Sequence, residues 1–275
     1  MVTQEQRKRQ LAREKFLRQQ QRRTSARRKA RMRNSVIASV LGVIVIGSVA
    51  LYTTGVMKGN DDKSNASADV TPTPSASATK KAPDPCAKPA AGKIKTETWK
   101  KEPAVTIDKS AKYTMKLATT CGDIDIALKT SAAPHTVNSF SFLAGKGFFD
   151  HTKCHRLTTN GIYVLQCGDP TGAGSGGPGY TIPDENLKDT SLKGGVYPAG
   201  TVAMANTGQK HTGGSQFFLV YKDSQLPASY TPFGTISASG MKVLQKIAAA
   251  GESTGAGDGA PNATVVINKA TVTQS

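Results

Sequence analysis

HRLTTNGIYVLQCGDPTGAGSGGPGY, residues 155–180, is the stretch on which the reading of this 275-residue chain turns. Residues 162–166 are β-branched, aromatic and aliphatic up to Gln166, the composition of a short strand. They lead into Gly172-Ala173-Gly174-Ser175-Gly176-Gly177-Pro178-Gly179, which satisfies the GxGxxG spacing of a phosphate-binding turn. Such a turn needs a helix N-terminus behind it, because the first helix amides hold the phosphate. Tyr180-Thr181-Ile182-Pro183 comes next in the chain and opens no helix. The run is therefore read as a shaped loop between strands.

Outward from this stretch the pattern stays mainly β. Tyr113, Met115 and Leu117 alternate with polar residues, as do Ile124, Ile126 and Leu128, with a hairpin turn at 119–123 between them. Val137, Phe140 and Leu143 recur at helical spacing and are stopped by Gly145 and Gly147. Further strands are predicted at 201–206, 216–221 and 263–272, and a second helix at 240–249. Many short antiparallel strands with two isolated helices suggest a barrel with helical plugs.

Other chemistries fit poorly. Gln216-Phe217 after Ser215 breaks the nucleophile elbow of a serine hydrolase. His151, Cys154, His155 and Cys167 match no common zinc spacing, so neither metal nor cofactor is expected. Four cysteines allow three pairings. Cys154 and Cys167 flank a hairpin turn near 159–161 at matched distances, which leaves Cys86 for Cys121.

Seven segments then occur in order: Phe148-Phe149-Asp150, His155-Arg156, residues 166–172, residues 176–180, Ala203-Met204-Ala205-Asn206, Gly214-Ser215-Gln216-Phe217-Phe218 and Phe233-Gly234. Over about residues 110–270 the chain resembles the cyclophilins, and most of all the exported, tethered ones of high-GC Gram-positive bacteria. The resemblance implies an eight-stranded antiparallel β-barrel capped by two helices, and peptidyl-prolyl cis/trans isomerase activity on proline-containing polypeptides. It implies a catalytic Arg156, held by Gln166, above a proline pocket floored by Phe218. Tyr163 falls at another aromatic position and Val164 at a methionine position. Ala205, Asn206 and Thr207 match the strand end that binds substrate backbone. Gln216 and Leu226 line the groove, and Tyr230 stands where histidine is common. Three features depart from the family pattern, one of them an extra residue among Gln209, Lys210 and His211. Arg156 and Gln166 are two residues further apart than usual, and Gln225 replaces a tryptophan used to bind cyclosporin, so weak drug binding is expected.

Residues 1–34 hold 13 Lys/Arg and 2 Glu, a net +11 of the chain's +17. The basic character is a tail, without the interleaved aromatics that stack on bases, so no nucleic-acid partner is expected. Residues 35–57 carry no charge and are long enough to cross a hydrocarbon core as a helix. Basic flanks face the cytoplasm. The expected order is a cytoplasmic tail at 1–34, a transmembrane helix at 35–57, a disordered extracytoplasmic linker at 58–100 rich in Ser, Thr and Pro, and a monomeric isomerase domain at 101–275. Cleavage near Ala50 with secretion is the alternative topology. A non-catalytic proline-peptide binder and an envelope tether are the alternative functions.

Overall fold

The computed structural model describes residues 83–275. The tail, the apolar segment 35–57 and residues 58–82 lie outside the described residues. Among the described residues no helix is long and apolar enough to cross a membrane.

In chain order the strands are β1 (Tyr113–Thr119), β2 (Gly122–Leu128), β3 (Thr152–Lys153), β4 (Arg156–Thr158), β5 (Val164–Cys167), β6 (Val196–Tyr197), β7 (Thr201–Met204), β8 (Phe217–Val220), β9 (Ser224–Gln225), β10 (Pro232–Ile236), β11 (Asp258–Gly259) and β12 (Val266–Gln274). Ten form one sheet in the order β11-β4-β5-β8-β7-β10-β2-β1-β12-β3, and β6 pairs with β9. Every strand pairing is antiparallel. The sheet has ten strands rather than eight because it ends at both edges in two-residue segments, β11 and β3.

Alternation along the strands explains the inner face. Met115, Leu117, Ile124 and Ile126 are at most 1% exposed and point into one core. Two helices pack on that core: α1 (Pro134–Gly145) and α2 (Ala238–Ala249). Proline opens α1, where its missing N–H costs nothing. No side chain at the N-cap serves α1. Glu185, from a distant loop, instead accepts from the amides of His135 at 3.0 Å and Thr136 at 2.9 Å. Phe140 of α1 then seats against Phe233 at 4.6 Å and Phe217 at 5.5 Å. Each such burial is worth about 1.5–3 kcal/mol. Ser237 caps α2 by accepting from the Gly240 amide at 3.1 Å, and Leu244 and Ile247 are fully buried.

The boundary expected at 101 moves. Residues 83–100 are laid against the sheet and α1 as an irregular strap. A disulfide joins Cys86 to Cys121, and the Ala87 amide donates to the Thr120 carbonyl at 2.8 Å. Ala90 donates to Asn268, and the Trp99 ring packs on Phe142 at 5.1 Å and Phe148 at 6.0 Å. One bond or ring contact every few residues holds a segment that has no periodicity of its own. The second disulfide lies in the core and joins Cys154, between β3 and β4, to Cys167 at the end of β5.

Candidate active site

The site grows from three adjacent strands. Arg156 on β4 is registered opposite Gln166 on β5, and Gln166 opposite Phe218 on β8. With a side-chain period of two, Leu157, Leu165, Phe217 and Leu219 point inward to the main core. Val164, Phe218 and Val220 point outward. They are nonetheless buried, because loops fold over them and build a second apolar cluster with Leu192, Tyr197 and Ala203. Ile162, Ala205, Leu226 and Tyr230 rim this cluster, partly open to solvent. Phe218 is 5% exposed and meets the edge of Tyr230 at 5.4 Å. The result is a dry floor with an aromatic wall.

Arg156 stands at the edge of that floor. Its Nη1 donates to Gln166 Oε1 at 3.2 Å, while Nε and Nη2 donate to the two carboxylate oxygens of Asp258 on β11 at 2.7 and 2.8 Å. A guanidinium has five N–H donors. Three are used among the described residues, which leaves one on Nη1 and one on Nη2 for a ligand. Its pKa is raised above the already high guanidinium range, chiefly by the hydrogen bonds to Asp258, against the effect of burial. Gln166 Nε2 donates onward to Gln216 Oε1 at 2.9 Å, and Gln216 Nε2 to the Gly176 carbonyl at 2.9 Å. The arginine is thus tied by a polar relay to the glycine-rich loop.

The structure explains that loop without a phosphate. Asp169 is fully buried and accepts from the Gly174 amide at 2.6 Å, the Ser175 amide at 3.0 Å and the Thr171 amide at 2.7 Å. Burial alone would raise its pKa, but these bonds and the Thr171 hydroxyl hold it below the usual carboxylate value. A side chain at Gly176 would start 2.1 Å from the Asp169 carboxylate. The loop amides that could cradle an anion already hold an internal one.

At the strand end, the Ala205 amide donates to the Gln216 carbonyl at 2.9 Å. Asn206 turns its side chain to the Ser229 carbonyl at 2.8 Å, and Thr207 is held by the Thr212 hydroxyl at 3.1 Å. Arg156, Gln166 and Gln216 are therefore joined by side-chain hydrogen bonds, and Phe218, Val164, Ala205, Leu226 and Tyr230 share the apolar cluster beside them, with Asn206 and Thr207 following Ala205 in the chain. Tyr163 does not join them. Its ring lies 5.9 Å from Tyr221, under the Lys222 ammonium at 4.5 Å, and Ile162 occupies the rim instead. The longer turn at 159–161 delays β5 until Val164, and this sets which neighbour faces the floor. Three contributors had no signal in the sequence. Asp258 is 102 residues from Arg156, Leu192 sits in a loop, and Tyr197 ends the two-residue strand β6, too short to show periodicity.

The site is thus an arginine held beside an aromatic floor on the outer face of an antiparallel sheet. Residues 114–272 match the family model described as cyclophilin type peptidyl-prolyl cis-trans isomerase/CLD, and the chain belongs to this family. Among relatives, "Probable peptidyl-prolyl cis-trans isomerase B" of Mycobacterium leprae is 48% identical over 195 residues, covering 68% of this chain and 62% of that protein. The protein of the same name from Mycobacterium tuberculosis is 45% identical over 195 residues, 68% of this chain and 59% of its own length. The match thus spans about three-fifths of these two relatives. A solved Cryptosporidium parvum cyclophilin type peptidyl-prolyl cis-trans isomerase aligns at a TM-score of 0.48 and 24% identity, over 60% of this chain and 99% of that one.

Proposed function

We propose that this chain catalyses cis/trans isomerisation of Xaa-Pro bonds in exported polypeptides, with Arg156 as the catalytic residue. The observation that carries the reading is the Arg156 fork, held by Gln166 and Asp258 beside the Phe218 floor with two N–H groups unspent.

Rotation about an amide costs ~18–20 kcal/mol because resonance is lost. Unaided, an Xaa-Pro bond takes tens to hundreds of seconds. No covalent bond forms or breaks, so no nucleophile is needed. In the twisted state the prolyl nitrogen becomes pyramidal and regains a lone pair, which Arg156 can meet with a hydrogen bond. That bond is stronger in the transition state than in the planar ground state, and such a difference accelerates a reaction. The twisted amide is also less dipolar, so the apolar floor of Phe218, Val164 and Leu226 favours it. The pocket grips the ring while the backbone at 205–207 holds the preceding residues, so one side alone rotates.

Two disulfides support an extracytoplasmic site of action, since such bonds persist in oxidising compartments. The proposed topology keeps residues 1–34 inside and 35–57 as the anchor. A protease-coupled assay on an Ala-Pro peptide tests the activity. Arg156→Ala is expected to lower kcat/KM by about 10²-fold, the scale of losing one preorganised donor. Equal rates for both proteins would overturn the proposal and leave a proline-peptide binder.

A further inference from the structure

We infer that the strap makes this protein selective for substrates with an acidic side chain two residues before the proline. This deepens the isomerase reading and rests on it for the direction of the bound peptide.

Beside the Arg156 groove lies a second hollow of about 870 Å³. Ala205 of the apolar rim, and Gln166 and Gln216 of the relay from Arg156, line this hollow as well, so the two adjoin. The glycine-rich loop forms a further wall. The remaining side is Thr98 and Lys100 of the strap with Lys101 and Glu102 directly after it, all preceding the family match that begins at residue 114. A peptide whose pre-proline residue rests on 205–207 sends its next upstream side chain into this hollow.

Its charge is set by the strap. Glu102 is engaged by the His135 ring at 2.5 Å. Lys100 and Lys101 have no acidic partner among the described residues. The rest of the lining is neutral, and the Gly174 and Ser175 amides are already committed to Asp169. The two ammonium groups outnumber the Glu102 carboxylate, so the charged side chains of the hollow sum to a positive charge.

Nor are they on a loose tail. Trp99, next to Lys100, donates its amide to the Pro178 carbonyl at 2.8 Å and buries its ring edge against Phe142 and Phe148. Gly179 carries φ +87°, and a side chain there would start 2.8 Å from the Trp99 carbonyl. The strap backbone is clamped to the loop it faces, so the lysines are presented at a fixed edge. Exposed pairs of this kind discriminate modestly, by about two- to fivefold per charge, and are screened by salt.

Three peptides differing only in Glu, Gln or Lys two residues before the proline test this on the full chain. Expected kcat/KM falls in the order Glu, Gln, Lys, with Glu about tenfold above Lys at low ionic strength and the ratio shrinking in about 0.5 M NaCl, as screening of two exposed charges requires. The charge-swapped K100E/K101E variant is expected to favour Lys over Glu. A misfolded protein gains no activity on any peptide, so this inversion reads the proposal itself. Rates independent of the varied residue, or an order that survives the swap, would overturn the inference while leaving the isomerase reading intact. If no peptide turns over, the isomerase reading fails. Fluorescence anisotropy of the same labelled peptides then decides the inference: tighter Glu binding, lost on the swap, sustains it, and equal binding ends it.

Discussion

Replacing Asp258 by alanine should slow catalysis without touching the substrate, because Asp258 positions Arg156. The carboxylate supplies two of the three tethers on the guanidinium. Both side chains are partly solvated, Arg156 at 38% and Asp258 at 55%. Solvent therefore screens the pair, and bidentate geometry places its worth near the upper end of the surface range, about 1 kcal/mol. If that energy orients the donors for the twisted amide, kcat/KM falls about fivefold. Asp258→Asn keeps one acceptor and should lose about half that free energy. The assay is isomerase kinetics for wild type, Asp258→Ala, Arg156→Ala and the double variant. In the Arg156→Ala background, removing Asp258 should cost nothing further, since the group it positions is gone. An unchanged rate in the single variant, or a loss that adds fully in the double variant, would refute the positioning argument.

Three other outcomes rest on the packing. Removing the Cys154–Cys167 bridge, which spans 13 residues, should lower stability by about 3 kcal/mol from loop entropy, read by urea unfolding of the double alanine variant. Gly179→Ala should cost about 1–3 kcal/mol at its positive φ and push Trp99 away, seen as faster proteolysis at residues 95–101. Asp189 offers a pH test. Burial would raise its pKa, but Lys129 at 2.6 Å, Ser191 and Asn186 hold it well below the usual carboxylate value. A depressed carboxylate contributes stability above its unfolded pKa of ~3.9 and loses it as pH falls. Unfolding free energy should drop below about pH 4, less steeply in Asp189→Asn.

What is legible in the sequence divides by range of interaction. The β1–β2 hairpin, α1 and the inward faces of β5 and β8 can be read because a period of 2 or 3.6 writes burial directly into sequence. Glycines at 172–179 give their loop away but not its purpose, which depends on one buried carboxylate, Asp169. Tyr163 falls at a groove position by family resemblance and lies outside the groove, because a two-residue longer turn decides which neighbour reaches the floor. The strap reads as linker since its composition is polar and its order comes from isolated anchors, Cys86 and Trp99 above all. The Asp258 contact is invisible in sequence, being an encounter between β11 and β4 from opposite ends of the domain.

The sharpest test of the account separates gripping proline from turning it. Exchange spectroscopy by NMR on an Xaa-Pro peptide, with catalytic amounts of protein, measures interconversion of the cis and trans forms directly. Wild type should bring exchange from minutes into the subsecond range, and Arg156→Ala should return it nearly to the unaided rate while still shifting peptide resonances on binding. Equal exchange with both proteins, or binding without exchange by wild type, would contradict the claim that this guanidinium stabilises the half-rotated bond.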